Sequence, residues 1–254
     1  MVWHTWGSGP ALVLLHGGTG SWRHWVRTIG GFTSSHRVVA AEQPGLGQSD
    51  MPPDPDSPPA MAAILGQGLD RVIGPRTSYD VVGFSFGGVM AGVLAARHGA
   101  RVRSLTIVGA GGLGLARGPT ELVKVRRLAG VEREAAHRTN LARLMIANPA
   151  NIDELALLIQ DWNTRHSRLK SPAISRGTWL RDALAVVRCQ VNGIYGSRDA
   201  PALPDIGARE AVMRALQPGL QFRLIEGAGH WVAYEAAPTF NKTLAGMLEH
   251  DGGV

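Results

Sequence analysis

The stretch that most constrains this chain is Asp80-Val81-Val82-Gly83-Phe84-Ser85-Phe86-Gly87-Gly88. β-forming residues from Tyr79 to Val82 stop at a glycine and present one serine. Two glycines then lead into Val89-Met90-Ala91-Gly92-Val93-Leu94, whose apolar spacing is helical. The stretch therefore reads as strand, sharp turn, helix. A serine at such a turn is pushed into a strained backbone conformation, tolerable when the residues two positions to either side lack bulk, as Gly83 and Gly87 do. The strain lifts the hydroxyl clear of the sheet. Small residues around a serine also serve a tight connection with no chemistry attached, and groups at other strand ends decide between the two.

Several such strand ends follow the same form. Ala11-Leu12-Val13-Leu14-Leu15 is an apolar run too short for a helix, as expected of a parallel strand buried on both faces, and it ends in His16-Gly17-Gly18-Thr19-Gly20. Gln190 to Tyr195 is a strand ending in Gly196-Ser197-Arg198-Asp199, and Phe222 to Ile225 is one ending in Glu226-Gly227-Ala228-Gly229-His230-Trp231. Further strands are expected at His36–Ala41, Arg101–Val108 and, as a short antiparallel edge, Val2–Trp6. Helices are expected at Trp22–Ile29, Ala60–Ile73 and Pro238–Leu248. Of nine histidines, only His230 follows a Gly-x-Gly turn at a strand end. Serine is a poor nucleophile at neutral pH and needs a base within hydrogen-bond reach, itself oriented by a third group. Ser85, Asp199 and His230 each follow a different strand, and loops at one edge of a parallel sheet can converge. Asp199 has a rival in Asp205.

Between Gly109 and about Val187 the alternation of strand and helix lapses. Helices are expected at Glu121–Leu128, at Arg133–Ile146 up to Asn148-Pro149, and in a segment capped by Asn151. In this last one Ile152, Leu155, Ala156, Ile159 and Trp162 share a face. Nearly eighty residues without a strand, set between two sheet strands, suggest a helical lid over residues 110–187 inserted into a core of residues 1–109 and 188–254. Arg165, Arg168 and Arg176 in that insertion read as solvated charges.

Composition narrows the class. With 44% hydrophobic and 18% charged residues the chain is an ordinary soluble globule, and no apolar run approaches membrane-spanning length. The start carries no basic segment followed by an apolar one, so a cytoplasmic protein is expected. The net charge of +6 comes from scattered arginines with no basic run, which argues against a nucleic-acid partner. Cys189 is alone, is expected buried in a strand, and cannot form an internal disulfide. No Cys/His cluster has metal-ligand spacing. The oligomeric state is left open, a homodimer included.

Gly83-x-Ser85-x-Gly87 with Asp199 and His230 following in that order resembles the α/β-hydrolase superfamily. The G-x-x-D spacing from Gly196 matches the family and favours Asp199 over Asp205. Glu42-Gln43-Pro44-Gly45-Leu46-Gly47-Gln48-Ser49 resembles the family's D-x-P-G-x-G-x-S loop, with glutamate for aspartate, and reads as structural. The resemblance implies a mostly parallel sheet with helices on both faces, a Ser85–His230–Asp199 triad, and an oxyanion hole from the N–H groups of Gly18 and Phe86. It implies no cofactor. His16 would brace the loop rather than react. The tail around Gly229-His230-Trp231, Glu235 and Phe240-Asn241 is similar to the meta-cleavage-product hydrolases, which split carbon–carbon bonds in vinylogous diketo acids. Gly17, Trp162 and Trp231 would then shape a pocket for a small-molecule substrate. That subfamily carries an arginine before a lid tryptophan, a carboxylate or oxyanion anchor, where this chain has Asp161 before Trp162. Arg165, Arg168 or Arg176 are the alternatives for that role, second to their reading as solvated charges. The expected activity is hydrolysis of a small ester or of such a C–C bond. Competing expectations are haloperoxidase-type perhydrolysis, because Gly83 to Gly88 resembles that group's elbow too, and a small-molecule receptor on the same fold.

Overall fold

In the computed structural model, which describes residues 1–249, one seven-stranded sheet runs through the molecule. Its strands are β1 Val2–Trp6, β2 Ala11–Leu15, β3 Arg37–Glu42, β4 Tyr79–Phe84, β5 Val102–Val108, β6 Gln190–Gly196 and β7 Gln221–Ile225. The order across the sheet is β1-β3-β2-β4-β5-β6-β7. β1 pairs antiparallel with β3 and every other pair is parallel. The sheet is mostly parallel, as the uninterrupted apolar runs predict.

Side chains alternate between the two faces of each strand, so every buried strand feeds two cores. Val13, Leu15, Val39 and Val81 pack with α2 (Pro58–Ile73), α3 (Phe86–His98), α7 (Trp179–Leu184) and α8 (Ile206–Leu216). Leu12, Leu14, Val38, Val82 and Phe84 pack with α1 (Val26–Ile29), α9 (Val232–Glu235) and α10 (Ala237–Leu248). Helices thus cover both faces. The chain leaves β2 towards one side of the sheet and leaves β4 towards the other, so the crevice for a ligand falls between the carboxyl ends of β2 and β4. Ser85 and Gly17-Gly18 are the residues that follow those two ends.

Between β5 and β6 the described elements are α4 (Gly130–Asn140) continued by a π-helical turn Leu141–Met145, α5 (Glu154–Arg165), α6 (Pro172–Arg176) and α7. Four expectations change here. Glu121–Leu128 is not a helix. Side chains of α4 and the turn after it take its backbone groups: Asn140 holds both the N–H and the carbonyl of Val123 (2.7 and 2.9 Å), Arg133 donates to Val125 O and Arg143 to Glu121 O. The cap of α5 is Asp153, whose carboxylate accepts from Ala156 N (2.9 Å), because Asn151 closes a short 3-10 turn begun at Pro149. The buried face of α5 carries Ala156, Leu157, Ile159 and Asn163, leaving Leu155 exposed. Cys189 is half-buried and stands just before β6, where burial raises its thiol pKa to about 11.

Candidate active site

Ser85 sits between β4 and α3 with φ 53° and ψ −117°, a conformation that L residues other than those at strained turns avoid. From Tyr79 to Gly92 it is the one residue that is not buried. The glycines around it are required by close approach: a Cβ on Gly83 would stand 2.3 Å from Gly87 O, and one on Gly87 would stand 2.2 Å from Leu15 O. Only bare backbone lets α3 start this near to β2 and β4, and its start brings the Phe86 N–H to the foot of the hydroxyl.

Backbone hydrogen bonds carry the pairing past the strand ends and bring three distant loops together. Ser85 N donates to Val108 O (2.8 Å), Gly109 N to Ile194 O (3.1 Å), Ser197 N to Ile225 O (3.0 Å) and Arg198 N to Ala228 O (2.9 Å). Glu235 fastens the last loop, accepting from Gly229 N (2.7 Å), Ala147 N and Asn148 N. The side chains of Ser85, His230 and Asp199 meet as a result. His230 Nε2 lies 3.0 Å from Ser85 Oγ, and its Nδ1 lies 2.9 and 3.0 Å from the two oxygens of Asp199. Both partners of that second contact are buried, and Asp199 also accepts from Ala202 N (3.2 Å). Asp205, the rival, caps α8 by accepting from Ala208 N and takes no part. Gly109 is a residue that sequence reasoning passed over: at φ 54°, a Cβ there would lie 2.9 Å from Asp199 and 3.2 Å from the imidazole. A glycine directly after an apolar strand was its only signal.

The loop after β2 is held by two buried histidines. His16 Nε2 accepts from Gln43 N (3.0 Å), so Nδ1 carries the ring proton and donates to Gly17 O (2.8 Å). His24 Nδ1 accepts from Gly17 N (3.2 Å), and its Nε2 meets the Asn163 amide of α5 (3.2 Å). Gly17 O and Gly18 N belong to one planar trans peptide, so fixing the carbonyl on His16 turns the Gly18 N–H the opposite way. Neither Gly18 N nor Phe86 N has a partner among the described residues. Glu42 is buried and accepts from Gln48 N, and a Cβ on Gly47 would overlap its carboxylate, which accounts for that glycine.

Burial lowers the His16 pKa to about 4, the bond to Gly17 O opposing the shift in part, and drives that of His24 well below the ordinary histidine value. A folded-state pKa below the unfolded value of 6.5 means the unfolded chain takes up the proton first as pH falls. The stability held by neutral His16 is therefore complete above 6.5 and is lost towards pH 4, by about 3 kcal/mol over that window. Denaturant melts between pH 7 and 4.5 are expected to show this loss, and His16→Gln is expected to flatten the slope. Stability that stays level down to pH 4.5 would refute it.

A cavity of about 650 Å³ opens beside Ser85, lined by Gly17, Gly18, Phe86 and His230 and walled by Leu115, Leu122, Leu144 and Met145. Arg117 and Arg176 line it as well. Trp162 and Trp231, expected at the pocket, lie elsewhere. Trp231 is fully buried, stacked on Tyr234 and donating to His24 O (2.8 Å). Trp162 is stacked between His166 and the Arg23 guanidinium, away from the cavity. Of the three arginines read as solvated, Arg165 pairs with Asp161 and Arg168 binds the carbonyls of Gly47 and Ser49, whereas Arg176 faces the cavity.

Known proteins show the same architecture. A 2-hydroxy-6-oxononadienedioate/2-hydroxy-6-oxononatrienedioate hydrolase of Comamonas testosteroni is 25% identical over 95% of this chain and 88% of its own. A 2-hydroxy-6-oxo-6-phenylhexa-2,4-dienoate hydrolase of Burkholderia cepacia is 26% identical over the same shares. Among solved structures, a bromoperoxidase from Bacillus anthracis superposes with a TM-score of 0.79 at 20% identity, over 98% of this chain and 95% of that one. The model of the alpha/beta hydrolase family matches residues 12–242, and the chain, elbow and sheet together, belongs to that family.

Proposed function

We propose that this protein is a serine hydrolase of small-molecule carboxylic esters or of the C–C bond of a diketo acid. Ser85 is its nucleophile, His230 its base and Asp199 the group that holds the imidazole tautomer. The single observation that carries this reading is the unbroken series Asp199–His230–Ser85, with heavy-atom distances of 2.9 to 3.0 Å, opening on a cavity of ligand size. On an ester, Ser85 Oγ attacks the carbonyl carbon as its proton passes to His230 Nε2. The leaving alcohol takes that proton when the C–O bond breaks, and water, deprotonated by the same nitrogen, releases the acid from the acyl-enzyme. The oxygen charge formed at each addition falls to the N–H groups of Gly18 and Phe86, the latter at the positive end of α3. His16, by holding Gly17 O, keeps the Gly18 donor turned away from itself without reorganisation. Residues 110–187 act as a lid, because Leu115, Leu122, Leu144 and Met145 from that stretch supply the apolar wall.

The C–C alternative is favoured by the two relatives described above, whose names are those of hydrolases of 2-hydroxy-6-oxononadienedioate or 2-hydroxy-6-oxononatrienedioate and of 2-hydroxy-6-oxo-6-phenylhexa-2,4-dienoate. An activity panel separates the two chemistries: p-nitrophenyl esters of rising acyl length beside a vinylogous diketo acid. Labelling with a fluorophosphonate and mapping of the modified peptide is expected to find the adduct on Ser85. Turnover of esters without any diketo acid cleavage would remove the C–C reading, and an adduct elsewhere with Ser85 untouched would remove both. The perhydrolase and receptor readings predict, respectively, peroxide-dependent halogenation as the principal activity and tight binding with no turnover.

A further inference from the structure

The cavity beside Ser85 is charged with one sign only. Arg117 and Arg176 are the charged side chains that line it, His230 is the other titratable group, and no aspartate or glutamate is among the lining residues. Arg117 is half-buried on the chain leaving β5 and borders a second, smaller cleft together with Ser85 and His230. Arg176 is exposed at the end of α6.

Neither guanidinium has a hydrogen-bond or ion-pair partner among the described residues, which sets the two apart from the arginines around them. Arg209 donates to the carbonyls of Ala202, Pro201, Asp205 and Ala116. Arg181 pairs with Asp182, and Arg133 and Arg165 share Asp161. The fold satisfies these neighbours and leaves two forks of donors at the mouth of the cavity. Burial lowers the Arg117 pKa and the like charges of Arg176 and Arg209 add to that, with the Asp199 carboxylate opposing them in part, so a bound anion would offset a cost that the fold itself leaves uncancelled.

We infer that Arg117 and Arg176 form an anion clamp, and that the substrate is a small acid whose carboxylate they hold while its hydrocarbon chain lies along Leu115, Leu122, Leu144 and Met145 towards Ser85. The planar guanidinium fork matches a carboxylate in bidentate geometry, and the apolar wall matches the spacer. The inference rests on Ser85 being the nucleophile for its account of which bond is cleaved, but the clamp itself can be read by binding alone.

Two measurements keep these apart. In the first, mono-p-nitrophenyl glutarate is compared with p-nitrophenyl valerate, which has the same acyl length and no charge. The wild type is expected to prefer the hemi-ester at least ten-fold in kcat/KM. Arg176→Gln and Arg117→Gln are expected each to cut that preference about ten-fold, near 1.4 kcal/mol, with Arg176→Lys retaining part of it. In the second, glutarate binding to Ser85→Ala is measured by calorimetry, with and without Arg176→Gln. Arg176 is exposed, so its loss leaves the core intact, and circular dichroism melts check each variant. Equal kcat/KM for the two esters, glutarate binding indifferent to both arginines, or inorganic phosphate binding as tightly as glutarate would overturn the clamp. Arginine-dependent glutarate binding in a protein that cleaves neither ester nor a vinylogous diketo acid would refute the nucleophile and keep the clamp.

Discussion

Ser85→Ala is expected to lower kcat by a factor on the order of 10⁴ to 10⁶ while leaving the melting temperature within a few degrees of the wild type. The two halves of that expectation have separate causes. The substitution deletes the one oxygen that His230 Nε2 faces at 3.0 Å, and with it the covalent step. It leaves the strained turn as it is, because the backbone bonds of Ser85 to Val108 and Gly88 do not involve the side chain. What turnover persists is that of binding and of the free N–H donors acting on water. The lone thiol cannot stand in, since Cys189 lies at the amino end of β6, the edge of the sheet opposite to the site, and burial keeps it protonated. Steady-state kinetics on the preferred ester, paired with a thermal melt, checks this directly. Near-normal turnover in a folded Ser85→Ala protein would mean that another group forms the covalent bond.

The sheet and the residues at its carboxyl edge were readable in the chain because each rule involved is local. A buried parallel strand needs a short apolar run, and a strained turn needs small neighbours. Loops that carry reacting groups sit where those runs stop, so Ser85, Asp199 and His230 each come with glycine nearby in sequence. The stretch between β5 and β6 follows no such local rule. An apolar helical face says only that something covers it, and α5 buried Leu157 where the periodicity also allowed Leu155. Glu121–Leu128 has helical composition, yet its backbone is claimed by Asn140 and Arg133, side chains beyond any helical neighbourhood. The two tryptophans mislead for a related reason. Large aromatic groups next to a histidine at a strand end suit a pocket and a core equally well, and Trp231 found its hydrogen-bond partner at His24 O, inside the core. For Arg176 the sequence left two readings, a solvated charge and an anchor in the pocket, because an exposed arginine and a ligand-facing one differ only in what lies opposite.

Asp199→Asn tests the third member of the series, and its expected effect is a loss of about 10⁴ in kcat with the fold retained. Asparagine matches aspartate in shape, so the buried site keeps its packing, but it exchanges one acceptor for a donor. The wild-type carboxylate accepts from both His230 Nδ1–H and Ala202 N–H. In the variant, the side-chain oxygen remains with Ala202 N–H, whose backbone position is fixed, and the amide NH₂ is left facing His230 Nδ1. That nitrogen must then become the acceptor, which moves the ring proton to Nε2 and sets an N–H, in place of a lone pair, against Ser85 Oγ. The imidazole sits at the same 3.0 Å and cannot take the serine's proton. The loss should therefore appear in kcat for every substrate alike, with binding of substrate-like acids to the variant unchanged. A variant that instead weakened binding and spared kcat would assign Asp199 to holding the loop, and the proton transfer from Ser85 would need another explanation.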